Sequence, residues 1–212
     1  MAQTEFDLPR IDLIDNHPGI INSALELLRP LRSKIFSHAN GPEFRTNFAF
    51  PRQGCIVIEV RLPGGLSGLD LLAELGRTAP HVPVIIFTEF ADVPMAVQAM
   101  SAGAFTFLEK SCRPQDLWDA VGRALVRSGE LSAEANRKSQ LANALQALTP
   151  EQRTVLKMAF EGRTNKAIAQ SLIVSPRTVD LRRKEVLAAF HASSFLELYG
   201  ALVEQRLLPR PR

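Results

Sequence analysis

Short apolar runs and longer helical periods alternate along the first 125 residues. The runs fall at 11–14, 55–60, 84–87 and 104–108, are rich in β-branched and aromatic side chains, and read as strands. A less apolar stretch at 34–38 has the same length. Between them, apolar positions recur every three or four residues at 19–28, 66–78, 93–102 and 114–126, with a shorter helical pattern at 42–48. Five strands alternating with five helices predict a parallel, doubly wound sheet, which offers ligands the carboxyl ends of its strands.

The pattern changes after residue 148. Thr149, Pro150 and Gln152 suit the N-cap, N1 and N3 positions of a helix over 150–161, which Gly162 ends. Thr164 is the next N-cap, and Ile168, Ala169 and Leu172 give the second helix one apolar face. Ser175 and Pro176 repeat the starting signal for a third helix. On it Val179, Val186 and Phe190 fall on one side, whereas Arg177, Asp180, Leu181 and Lys184 gather on the other. A core-facing stripe backed by a basic row is the layout of a helix-turn-helix that sets its last helix in a DNA groove. A leucine among charges on that outer row suits a thymine methyl. Taken without the caps and short turns, the same charges would describe a solvated bundle face.

Residues 128–147 are polar, lack proline and carry weakly spaced Leu131, Leu141 and Leu145, which predicts a partly helical linker between domains at 1–127 and 148–212. Phe195, Leu198, Tyr199, Leu202 and Val203 predict a last amphipathic helix, and the closing PRPR is expected to be disordered.

With 212 residues and 46% hydrophobic content, the chain can build two ordinary cores. Its net charge of +3 is unevenly divided. Residues 1–125 hold 11 Lys/Arg against 14 Asp/Glu, while residues 126–212 hold 14 against 8, so the basic part is the part with the helix-turn-helix. Two cysteines, Cys55 and Cys112, make no disulfide framework and read as small fillers. With no apolar segment of signal or membrane length, the chain is expected to be cytoplasmic, without a membrane partner.

Chemistry collects at the strand ends. Asp15 and Asn16 follow the first strand, Glu59 ends the third, Thr88 the fourth, and Lys110 follows the fifth. Carboxylates, a hydroxyl and an ammonium converging there would suit a divalent cation and a phosphoryl group. His17 beside them reads as part of a loop leading into a helix. Met95, Ala99 and Met100 at helical spacing read as core or dimer surface, and Trp118 as an interface anchor or a core residue.

The words LTPEQRTVL, NKAIA and VSPRTVDLRRKEV resemble the LuxR-type DNA-binding domain of the FixJ/NarL response regulators. EVRLPGGLSGLDLL and DVPMAVQAMSAGAFTFLEK are similar to the receiver domain of the same regulators. The resemblance implies a CheY-like receiver followed by a four-helix LuxR-type domain, and dimeric binding to double-stranded DNA. It implies that Lys166, Arg177, Thr178, Leu181, Arg182 and Lys184 touch phosphate or bases; Ser175 and Arg183 complete the expected DNA-binding set. In the family the fourth helix, fifth strand and fifth helix form the activated dimer face.

The departures from the family fall on its chemistry. Glu59 stands where relatives carry the aspartate that accepts a phosphoryl group from a histidine kinase. Asn16 replaces one of the paired acids that hold magnesium, so only Asp15 and Glu59 remain as metal ligands, and no cofactor is expected to be required. Ser111 replaces a proline, Asp180 stands where Lys or Glu is common, and Arg182 replaces His. Thr88 and Lys110, which contact the phosphoryl group in the family, and Phe107, its switch aromatic, are retained.

Three readings of this pocket are open. Glu59, one methylene longer than aspartate, pairs with Lys110 as a built-in charge mimic; or the two form an ordinary structural ion pair; or a carboxylate is still phosphorylated by a kinase. The expected function is phosphorylation-independent transcriptional regulation rather than enzymatic turnover. The rival is an interaction or ligand-sensing protein whose receiver binds a partner or small molecule.

Overall fold

Arg10–Ile14 (β1), Lys34–His38 (β2), Gly54–Ile58 (β3), Val84–Thr88 (β4) and Thr106–Glu109 (β5) form one parallel sheet in the order β2-β1-β3-β4-β5. The computed structural model describes residues 8–48 and 53–208; the PRPR tail lies outside them. The chain divides into two units, Met1–Ala133 and Glu134–Arg212.

In the first unit β1 and β3 are neighbours although β2 lies between them in sequence, so successive crossovers leave β1 in opposite directions. The crevice at their carboxyl ends is where such a sheet accommodates ligands. β3 and β4 are buried along their whole length, which explains their unbroken apolar runs. Ile56, Ile58, Val84 and Ile86 pack with Phe44 of α2 (Gly41–Asn47), Leu71, Leu72 and Leu75 of α3 (Gly68–Thr78), and Ala99 of α4 (Val93–Ser101). On the other face, Val57, Ile85 and Phe87 pack with Ala24 and Leu28 of α1 (Pro18–Leu28), and with Leu117, Ala120, Val121 and Ala124 of α5 (Pro114–Ala147). Ser67 and Asp70 close a capping box at the start of α3, and Asn40 and Asp92 cap α2 and α4.

The strand boundaries differ from the expected ones by one or two residues. β3 ends at Ile58, so Glu59 lies just beyond the ladder. A larger difference is α5, which continues past residue 126 through the stretch 128–147 to Ala147. Within the first unit, buried Ser128 accepts a hydrogen bond from the Gly54 N–H (2.9 Å) and donates to the His81 carbonyl (3.2 Å).

Asp12, in the middle of β1, is buried. Its carboxylate is held by the Arg10 guanidinium at 2.7 Å and by His38 Nε2 at 2.8 Å, while the same guanidinium lies 4.0 Å above the Phe36 ring. Partners on β1 itself and on β2 therefore compensate a carboxylate that an apolar strand would exclude.

The second unit contains α6 (Pro150–Phe160), α7 (Asn165–Leu172), α8 (Pro176–Ala189) and α9 (Phe195–Glu204). Thr149, Thr164, Ser175 and Ser194 each accept a backbone N–H as N-caps. Val155, Ile168, Ala169 and Val179 form one core, and Leu156, Val186, Phe190, Leu198 and Leu202 another, against which Leu141 and Leu145 pack.

The turn between α7 and α8 passes through Ile173, a β-branched residue at φ 55° and 93% exposed. A left-handed conformation strains such a side chain, and solvent offers no packing in return. Ile173→Gly is expected to raise stability by about 1 kcal/mol, read as a higher thermal midpoint.

Candidate functional site

The pocket is built from four strand ends. Asp15 follows β1, Glu59 follows β3, Thr88 is the last residue of β4, and Lys110 follows β5. Lys110 Nζ lies 2.6 Å from Asp15 Oδ2 and 2.8 Å from Glu59 Oε2, with all three side chains buried. Thr88 Oγ1 donates to Glu59 Oε1 at 2.5 Å. The Arg61 N–H donates to the same oxygen at 3.1 Å, and the Glu89 N–H to Oε2 at 3.4 Å. The His17 N–H holds Asp15 Oδ1 at 2.8 Å. Every carboxylate oxygen is thus met by a donor or by the ammonium.

These contacts decide the protonation states. Burial would raise the Glu59 carboxyl, but Lys110, Thr88 and the Arg61 N–H outweigh it and hold it below its ordinary value. Burial opposes the Lys110 charge as well, yet Asp15 and Glu59 hold that ammonium above its ordinary value. Glu59 and Lys110 are therefore both charged at neutral pH.

A magnesium ion needs free carboxylate oxygens. Asp15 and Glu59, the expected metal ligands, are instead bridged by an ammonium, and Asn16 is exposed, neutral and outside the triad. No group of three or more His, Cys, Asp or Glu is placed to hold a metal among the described residues. The residues present do not fit the ion that the fold family implies.

Around the triad, Phe107 is half-buried against the apolar cluster on the α2–α4 side of the sheet. Arg61, whose N–H meets Glu59, sets its guanidinium 3.8 Å above the exposed Phe90 ring. Sequence reasoning missed both Arg61 and Glu89 because they act through backbone N–H groups, which no side-chain pattern announces. Trp118 is half-buried, Met95 packs against the core, and Val93, Val97 and Met100 are exposed along α4. Burial pushes the Cys55 thiol up, with Asp12 adding to it, and burial and Asp116 raise Cys112, so both stay protonated at neutral pH.

On α8, Val179 and Val186 are fully buried and Phe190 nearly so, which turns Arg177, Asp180, Leu181 and Lys184 outward. Leu181 is 56% exposed, and Lys166 of α7 is exposed as well. Asp180 Oδ2 lies 3.1 Å from Lys184 Nζ, one helical turn on. Ser175 and Thr178 are engaged in the cap: Ser175 Oγ accepts the Thr178 N–H at 3.1 Å, and the two hydroxyls are 2.8 Å apart. Arg182 is half-buried. Arg183 does not join the outward row, since its guanidinium stacks 4.3 Å from the Phe195 ring of α9. The structure thus brings six of the expected DNA-facing residues to the exposed surface or the helix start, leaves Arg182 at its flank, and turns Arg183 away.

Residues 11–122 match the response regulator receiver domain, and residues 146–201 match the luxR family of bacterial regulatory proteins. The transcriptional regulatory protein FixJ of Azorhizobium caulinodans is 36% identical over 188 residues, covering 89% of each chain. FixJ of Rhizobium meliloti is 32% identical, covering 89% of this chain and 92% of its own. Among solved structures, the response regulator StyR is similar with a TM-score of 0.82 at 27% identity, covering 93% of this chain and 99% of its own. No helix among the described residues is long and apolar enough to cross a membrane.

Proposed function

We infer, for a chain that belongs to the FixJ family of DNA-binding response regulators, that the receiver works without a phosphoryl group because Glu59 supplies the charge itself. The ammonium and hydroxyl that the family applies to a phosphoryl group, Lys110 and Thr88, are both drawn onto the Glu59 carboxylate. The observation that carries this reading is the Thr88 hydroxyl at 2.5 Å, because a purely structural ion pair needs only the lysine. Glu59 thereby holds the receiver in a partly active-like arrangement, biasing a population rather than waiting for a trigger.

The output is sequence-specific binding of a homodimer to double-stranded DNA through α8, with Arg177, Leu181 and Lys184 as its outward residues and Lys166 beside them. Neither magnesium nor a histidine kinase is required, and the pocket turns nothing over. The protein acts in the cytoplasm.

DNA affinity and oligomeric state of the wild type and Glu59→Ala, measured without phosphodonor, test this reading. The variant is expected to dimerise less and to bind its duplex about tenfold more weakly, a shift of about 1.4 kcal/mol. If neither quantity changes, Glu59 and Lys110 are only a structural pair. A stable phosphorylated form after incubation with acetyl phosphate and magnesium, seen by intact mass, would overturn phosphate independence.

A further inference from the structure

We propose that Asp180 is a specificity-determining residue, which reads a cytosine amino group and restrains Lys184 on every other sequence. The proposal rests on the DNA-binding reading of α8. Asp180 is the acidic member of the outward row, its side chain 53% exposed, on a helix whose buried side carries Val179 and Val186. Its contact with Lys184, whose side chain is 74% exposed, lies in solvent, where such a pair adds little to folding. Stability therefore gives no reason for an aspartate at this place.

Facing DNA, the same carboxylate has a cost on every sequence, because it meets phosphates and holds one lysine away from them. The cost is offset where a base edge offers a donor. In the major groove the amino donors belong to cytosine and adenine. Adenine sets its N7 acceptor beside the amine, which suits the amide of Asn or Gln and repels a carboxylate, so cytosine N4 is the group that Asp180 accepts from. Engaging it releases Lys184 for a phosphate. Specificity arises as much from the penalty on wrong sequences as from the contact with the right one.

Full-length wild type, Asp180→Ala and Asp180→Asn would be used to select sites from a random duplex pool and then titrated on random and selected duplexes over a range of salt. Wild-type sites are expected to carry one cytosine per half-site, preferred about tenfold. Asp180→Asn should exchange it for adenine. Asp180→Ala should lose the preference, bind random duplex about threefold more tightly, and show a salt slope steeper by about 0.9, the contribution of one freed lysine. Identical selected sites and slopes in all three proteins overturn the role of Asp180 alone. A wild type with no preferred site and no salt slope overturns the DNA-binding reading, and this proposal with it. Equal thermal midpoints exclude folding as the source of any difference.

Discussion

Lys110→Met is expected to destabilise the receiver by about 3–5 kcal/mol at neutral pH, because it leaves two buried carboxylates facing each other with no cation between them. The pH dependence separates this from a simple packing loss. In the wild type the Glu59 carboxyl is lowered below its ordinary 4.5, so its contribution is complete above that value and is lost as pH falls through the lowered pKa. Lys110 is raised above its ordinary 10.5, so its contribution is complete below that value and is lost as pH rises through the raised pKa. Between the two values Glu59 and Lys110 are both charged and stability is flat as far as these two groups decide it.

Removing the ammonium inverts the acid limb. Burial, the largest influence on Glu59 and one that opposes its charge, then loses the opposing hydrogen bond and charge of Lys110, and the Glu59 carboxyl is expected to rise. Stability of Lys110→Met should therefore increase as pH is lowered towards that carboxyl's new range, where the wild type begins to weaken. Urea midpoints across a pH series measure both limbs. A variant whose acid limb keeps the wild-type direction would show that Lys110 is not what holds the Glu59 carboxylate charged.

Gly68→Ala is the second large effect. Gly68 opens α3, its N–H donating to the Val60 carbonyl at 2.9 Å. A Cβ there would stand 2.3 Å from the backbone oxygen of Glu59 and 2.8 Å from Ile58 Cγ2. Neither neighbour is the end of a long flexible side chain, and the Ser67–Asp70 capping box prevents the helix start from sliding. Overpacking of this kind should cost about 3 kcal/mol and displace Glu59 from Thr88 and Lys110. Gly19→Ala is the control, since a Cβ at that position of α1 meets nothing within 4 Å. Its midpoint should stay level or rise slightly. Equal losses in both variants would mean that helix-start glycines matter here for the backbone alone.

Much of this architecture was legible from local patterns. The sheet was visible because β3 and β4 are buried on both faces and so appear as unbroken apolar runs. The start of α8 was visible because Ser175 and Pro176 do chemically what an N-cap and N1 require. The pocket could be assembled from strand ends, because a parallel sheet brings those ends together whatever the loops contain.

What stayed hidden depends on partners distant in sequence. Within the apolar run 11–14 nothing local shows what compensates the Asp12 carboxylate, which Arg10 and His38 hold. Arg183 reads as one more groove cation until Phe195, twelve residues on, takes its guanidinium. The length of α5 was hidden for a related reason, since Leu141 and Leu145 give a weak local period and pack against a cluster that includes Phe190, Leu198 and Leu202, distant in sequence.

The hydrogen bond from Gly54 to Ser128 turns a single amide into a reporter. In β3 that N–H is secured by a hydroxyl of α5 rather than by an adjacent strand. Its deuterium exchange is therefore governed by the docking of α5 on the amino end of the sheet, whereas exchange at the buried centre of β3 waits for larger openings. The ratio of the two rates can follow the coupling of helix and sheet in the intact protein, with no ligand, dye or added donor.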